Sequence, residues 1–225
     1  AKRELYIHHH LGLGDHLDCN AMVRLYLKSG KFSRVCLFAK NNYADLIRYM
    51  FRDEPRIVIV PVDKDDEYGG VKRYIEKHRV SNFVRVGHEN YPWGQEEVLN
   101  MGCAEIFYKQ VGFDYQQRFE SFYFQRDILE EERVYDKLNP GHEEYVFVHD
   151  DRRRGFEIPD EKIYELNNGE IKIIRNDMDE NIFHFIKVLE NAKQIHCMES
   201  CFRSLVETTK VTGALYFHNF RSGAS

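Results

Sequence analysis

The chain has 225 residues, 43% of them hydrophobic and 31% charged, which excludes a disordered or fibrous protein. Its 37 acidic and 32 basic residues leave a formal net charge of -5, which argues against nucleic acid as the main partner. Domains commonly hold about 100–150 residues, so the length admits one large domain or two compact ones.

Hydrophobic runs and periodicity give the elements in chain order. Residues 5–8 read as a strand, 12–15 as a turn and 16–28 as a helix that Gly30 stops. Strands follow at 35–38, 56–60 and 82–86, separated by helices at 42–51 and 68–78. That alternation predicts βαβ units and a parallel sheet. Between 88 and 125 the pattern is interrupted by a helix at 101–111 and an aromatic stretch, and the domain junction is placed near 124–126. A charged helix at 127–138 opens the second half. Strands at 145–149, 171–175, 194–198 and 214–217 and helices at 181–190 and 200–209 complete it. Residues 221–225 read as a loose tail.

The expected architecture is α/β, with an N-terminal Rossmann-like domain at 1–125 and a C-terminal one at 126–225. Their parallel sheets are expected to face a cleft. The five cysteines, at 19, 36, 103, 197 and 201, are odd in number and form no C-x-x-C pair. Reduced thiols are expected, not a disulfide frame or a zinc site. No apolar run approaches the roughly 20 residues of a membrane helix, and the start Ala1-Lys2-Arg3-Glu4 does not read as a signal peptide. A soluble, cytoplasmic protein is the expectation.

Three segments can carry chemistry, and each follows a predicted strand, where open α/β sheets bind ligands. The first contains His10, Gly12, Gly14, Asp15 and His16. Its glycines admit close backbone approach. Asp15 either caps the coming helix or acts as a general base. The third glycine of a dinucleotide fingerprint is missing, since Leu17 stands there. The second segment runs from His149 through Asp150-Asp151 to Arg152-Arg153-Arg154. Arginines there can grip a diphosphate through paired hydrogen bonds; the plainer alternative is a solvated loop of weak ion pairs. Arg175, which ends the next strand, joins this basic set. The third segment is Ser200-Cys201-Phe202-Arg203. Here helix-start amides can hold a phosphate, or Ser200 serves only as an N-cap. His8 and His10 share one face of a strand without a nearby third ligand in sequence, so no metal is expected.

The loop Leu5 to His16 resembles the opening of GT-B-fold glycosyltransferases related to the heptosyltransferases. In those enzymes a Gly-Asp pair supplies the proposed general base, and Gly14-Asp15 matches it. The stretch from Ser200 to Leu205 resembles their donor-phosphate loop, although Glu199-Ser200-Cys201-Phe202 replaces the usual Asp-Ser/Thr-Gly-Leu and lacks its following histidine. It is also similar to the Ser-Phe-Ser element of fucosyltransferases, whose His-x-Arg clamp loosely matches His149 to Arg154.

The resemblance implies a metal-independent transferase without a cofactor. It implies a nucleotide-diphosphate sugar held in the C-terminal half by His149, Arg152, Arg154, Arg175, Ser200, Cys201 and Phe202. Asp15 would activate a hydroxyl of a glycan or glycolipid acceptor beside His10, Gly12, Gly14 and His16, and domain closure would accompany turnover. Two alternatives compete with it. One is a non-catalytic nucleotide-sugar binding module of a larger enzyme. The other is a nicotinamide oxidoreductase, against which Phe38-Ala39-Lys40 offers no acidic residue at the end of the second strand.

Overall fold

In the computed structural model, residues 3–88, 92–99 and 101–220 are described; the expected tail at 221–225 lies outside them. The first half runs β1 (Glu4–His8), α1 (Leu13–Asp18), α2 (Asn20–Lys28), β2 (Arg34–Lys40), α3 (Ala44–Met50), β3 (Ile57–Val62), α4 (Glu67–His78) and β4 (Phe83–Arg85). The short α5 (Gln95–Val98), α6 (Cys103–Val111) and α7 (Gln117–Glu120) follow. The second half runs α8 (Ile128–Leu138), β5 (Tyr145–His149), a 3-10 turn at Arg152–Arg154, α9 (Asp160–Asn167) and β6 (Lys172–Arg175). A 3-10 turn at Ile182–Phe185 then leads into α10 (Ile186–Asn191), β7 (Gln194–Met198), α11 (Cys201–Thr208) and β8 (Ala214–His218). The chain divides into two compact units, Ala1–Gln125 and Arg126–Ser225.

Each unit is built on a four-stranded, fully parallel sheet. The strand orders are β3-β2-β1-β4 and β6-β5-β7-β8. Parallel strands covered on both faces lose the apolar–polar alternation of a half-exposed strand. Val35 to Ala39 in β2 and all five residues of β5 are accordingly buried. Ile7, Leu37 and Phe38 in one sheet, and Val146, Phe147 and Val148 in the other, are fully buried. Each such side chain contributes roughly 1.5–3 kcal/mol by leaving water.

The orders also fix where ligands are expected. In the first unit the chain winds outward from β1 through β2 to β3, then returns to place β4 on the other side of β1. In the second it winds from β5 to β6 and returns to β7. The topological switch points therefore lie between β1 and β4 and between β5 and β7, at the strands' carboxyl ends.

Two local expectations change. The single helix at 16–28 is two helices. α1 starts earlier, at Leu13, because Gly12 takes an extended N-cap conformation and its amide donates to Asp15 Oδ2 at 3.0 Å. The helix then breaks at Cys19 (φ -88°, ψ 0°) before α2. The residues 160–167 form a helix that apolar periodicity does not reveal, since Ile163 is its one buried residue. It supplies the crossover between parallel β5 and β6.

Candidate functional site

At the first switch point Asp15 occupies the third position of α1, and Oδ2 accepts the Gly12 amide. Its other oxygen, Oδ1, makes no hydrogen bond among the described residues. A Cβ on Gly12 would lie 2.6 Å from Asp15 Oδ2, so glycine is what lets the carboxylate fold back. Burial raises the pKa of Asp15, while His10, the Gly12 amide and Lys40 oppose that rise. Gly12 is thus the N-cap, and Asp15 closes back on it from the third helical position. Gly14 is the second residue of α1, not a turn residue.

His10 sits against the loop after β4. Its Nε2 accepts the amide of His88 at 2.9 Å, and its ring packs on Phe107. Gly87 (φ +82°) makes this possible, since a Cβ there would meet His10 Nε2 at 2.2 Å.

His16, expected beside the acceptor, is instead a core residue. One residue along a helix turns the side chain by roughly 100°, which carries His16 away from the direction of Asp15. It is fully buried against His9, with ring centroids 4.3 Å apart. Both nitrogens of His16 and Nε2 of His9 are buried without a hydrogen-bond partner among the described residues. Desolvation pulls His16 down to about 3 and His9 well below the ordinary histidine value, so both rings are neutral near pH 7.

A second cluster surrounds His8. Its Nε2 lies 3.0 Å from Glu67 Oε1, and its ring centroid is 4.5 Å from that of His88. His88 Nδ1 meets the Tyr68 hydroxyl at 2.8 Å, and Nε2 meets the His9 carbonyl at 3.2 Å. Lys40 Nζ is 3.6 Å from the other oxygen of Glu67, and the Arg85 guanidinium lies over the Tyr68 ring. Burial, followed by the charge of Arg85 and by His10, lowers His8 to about 4; burial, followed by His8, His10 and Arg85, does the same for His88. Along the sequence His8 and His10 have no third ligand near them. The structure brings in Glu67, the first residue of α4, and His88, from the loop after β4. For His88 the signal available in the sequence was its place three residues past a strand; Glu67, at the start of a helix, carried none.

In the second unit the end of β5 and the 3-10 turn before α10 pack on Phe202, the second residue of α11. The His149 ring lies 4.5 Å from it, and Phe147 and Phe185 complete the contact. Phe202 is 3% exposed, so its side chain belongs to the core and only its backbone is available to a ligand. His149 is also buried, Nδ1 has no partner among the described residues, and burial lowers its pKa to about 4. It can offer a hydrogen bond but not a cation. Ser200 stands at the N-cap of α11 in an extended conformation, yet its hydroxyl makes no capping bond; Oγ is buried and unpartnered. The first amides of α11 lack helical carbonyl acceptors, as at any helix start. Burial pushes the Cys201 thiol up to about 11, which removes a thiolate nucleophile.

The arginines divide. Arg175 is half-buried and held in a clamp: it pairs with Asp150, donates to Asp160 at 2.5 Å and donates to the Ile158 carbonyl at 3.0 Å. Asp150 in turn accepts the Ile158 amide. This arginine holds the β5 loop to the start of α9, which corrects its expected place among ligand-facing groups. Arg152 and Arg154 are half exposed and pair with Glu157 at 2.7 Å and Asp151 at 2.5 Å. Such surface pairs are worth only about 0–1 kcal/mol, so a phosphate can displace either partner. Arg153, which was not singled out from the sequence, is exposed and makes no ion pair among the described residues.

No protein-family model and no curated protein matches the sequence. Solved structures do resemble it. The glycosyl transferase family 9 protein from Veillonella parvula DSM 2008 superposes with TM-score 0.61 at 9% identity, covering 99% of this chain and 82% of that one. The iron-containing dodecameric glycosyltransferase TibC from enterotoxigenic E. coli H10407 gives TM-score 0.57 at 15% identity, with 95% of this chain and 58% of that one covered. The E. coli ADP-heptose lps heptosyltransferase II gives 0.50 at 8%, covering 99% and 91%. Among the described residues, no helix is long and apolar enough to cross a membrane. With two Rossmann-like units on parallel four-stranded sheets, the chain has the GT-B-like fold of these glycosyltransferases.

Proposed function

We propose that this chain is a glycosyltransferase that moves a sugar from a nucleotide-diphosphate donor to an acceptor hydroxyl. The observation that carries the reading is Asp15, a carboxylate whose pKa burial raises and whose Oδ1 is uncommitted, at the switch point of a sheet with a glycosyltransferase-like fold. In the proposed reaction Oδ1 takes the acceptor's hydroxyl proton as its oxygen bonds to the anomeric carbon. The bond from that carbon to the diphosphate breaks, and its electron pair leaves with the nucleoside diphosphate.

The second unit is assigned the donor. The amides of Cys201 and Phe202 and the guanidinium groups of Arg152, Arg153 and Arg154 would offset charge on the departing diphosphate, without a metal at that position. Ser200 Oγ would supply a further hydrogen bond. Arg175 is left out of this set because its guanidinium is already held by Asp150 and Asp160.

A thermal-shift and hydrolysis panel of GDP-, UDP-, ADP-, CMP- and dTDP-linked sugars tests the reading. One donor is expected to raise Tm and to be hydrolysed slowly to its nucleoside diphosphate. For that donor, Arg154→Ala should weaken binding by roughly tenfold, the order of one charge-assisted hydrogen bond, as measured by calorimetry. Unchanged affinity would remove Arg154 from the clamp. Binding with no turnover, alone or with any acceptor, would instead mark a non-catalytic module; no binding by any donor would reject both.

A further inference from the structure

We propose that His8, Glu67 and His88 bind one divalent transition-metal ion. One nitrogen or oxygen from each lies within 4.8 Å of the others. Ligand atoms sharing a zinc-sized ion at ~2.0–2.2 Å stand roughly 3–4 Å apart, so side-chain shifts of about an ångström close the site. Two imidazoles and a carboxylate suit zinc, cobalt, nickel or ferrous iron better than magnesium or calcium, which prefer all-oxygen sets.

The surroundings favour a preset site. His8 ends β1, Glu67 opens α4 and His88 follows β4, so three separate elements of one unit hold the ligands in place. His88 donates Nε2–H to the His9 carbonyl, which leaves its Nδ1 lone pair for a ligand. A backbone carbonyl on the far nitrogen is a common orienting contact for metal-bound histidine. Tyr68, whose hydroxyl now meets Nδ1, is 57% exposed and has room to turn outward. In the metal-free chain His8 Nε2–H donates to Glu67, because an ionised carboxylate can only accept; coordination at Nε2 moves that proton to Nδ1, which is buried without an acceptor among the described residues and lowers the affinity. His88 also holds a left-handed backbone (φ 59°) after Gly87 (φ 82°), a conformation that keeps its ring beside His8. Lys40 and Arg85 stand close by and oppose a cation, so the expected affinity is micromolar rather than that of a closed structural zinc site.

The proposal is independent of the transfer reaction, since binding is read on the metal alone. Chelator-stripped protein titrated with zinc chloride by calorimetry is expected to bind one ion per chain, and cobalt chloride to give a visible absorption band. Glu67→Gln and His88→Asn should each weaken zinc binding by about 10–100-fold, the scale seen when a metal site loses a supporting contact or more. Asparagine is chosen because it tolerates a positive φ. His142→Asn, which changes an exposed histidine also in a left-handed conformation (φ 48°), should keep the wild-type affinity.

Failure of the wild-type chain to bind zinc or cobalt at millimolar concentration overturns the site. Undiminished binding by both ligand variants does the same. Should those variants misfold, histidine NMR of the wild-type chain decides: zinc must move the imidazole signals of His8 and His88, and movement confined to other histidines rejects the assignment.

Discussion

Asp15→Asn is expected to abolish sugar transfer, lowering kcat by 10²–10⁴-fold, the usual contribution of a positioned general base. Donor affinity should stay within about twofold, because the substitution removes a proton acceptor from the first unit and leaves the loops after β5 and β7 unaltered. Asparagine keeps the size of the side chain and an oxygen that can still accept the Gly12 amide, so stability is little changed. Full activity in this variant would dismiss the assignment.

Gly12→Ala is the companion variant. The new methyl would sit 2.6 Å from Oδ2, and the backbone there (φ -69°, ψ 156°) suits alanine. The chain should therefore fold while the carboxylate is displaced. A fall in kcat with a nearly unchanged urea midpoint is the expected pair of results. The raised pKa of Asp15 adds a pH signature: activity declines toward acid with an inflection above the ordinary aspartate value.

The second large effect concerns acid stability. Burial pulls His16 in the folded chain down from the ordinary 6.5 to about 3. Below pH 6.5 the unfolded chain takes up a proton that the buried ring refuses, so stability present at neutral pH is lost as pH falls. For this one ring the loss between pH 7 and pH 5 is about 2 kcal/mol, on the basis of ~1.4 kcal/mol per pH decade. His9, His8 and His88 are shifted the same way and steepen the decline.

His16→Leu should remove its share. Neither ring nitrogen has a partner among the described residues, so leucine forfeits no hydrogen bond there and brings a similar volume. Urea midpoints at pH 5 and pH 7, followed by circular dichroism, are expected to differ less in the variant than in the wild type. Equal pH dependence in both would mean that His16 is accessible to protons in the folded chain.

Much of the architecture was legible because parallel strands write themselves as short apolar runs. Val35-Cys36-Leu37-Phe38 and Tyr145-Val146-Phe147-Val148 need no partner to be recognised. Residues 160–167 escaped because a helix with one buried side chain leaves almost no periodic trace. The loops with chemistry were legible for a similar reason: His10 to Asp15, His149 to Arg154 and Ser200 to Phe202 each follow such a run.

What each side chain does in those loops was settled by packing. Asp15 and His16 are neighbours in sequence, and only the turn of α1 against its sheet gives one an uncommitted carboxylate oxygen and the other a dry core position. Arg175 and Arg153 look alike as letters, yet Asp150 and Asp160 hold the first while the second makes no ion pair among the described residues. Glu67 and His88 meet His8 because strand order brings the start of α4 and the loop after β4 to the end of β1. Sequence alone determined the α/β class, the places where strands end and the residue types at those ends. The tertiary structure decided their partners, because burial and ion pairing depend on neighbours that linear spacing does not encode.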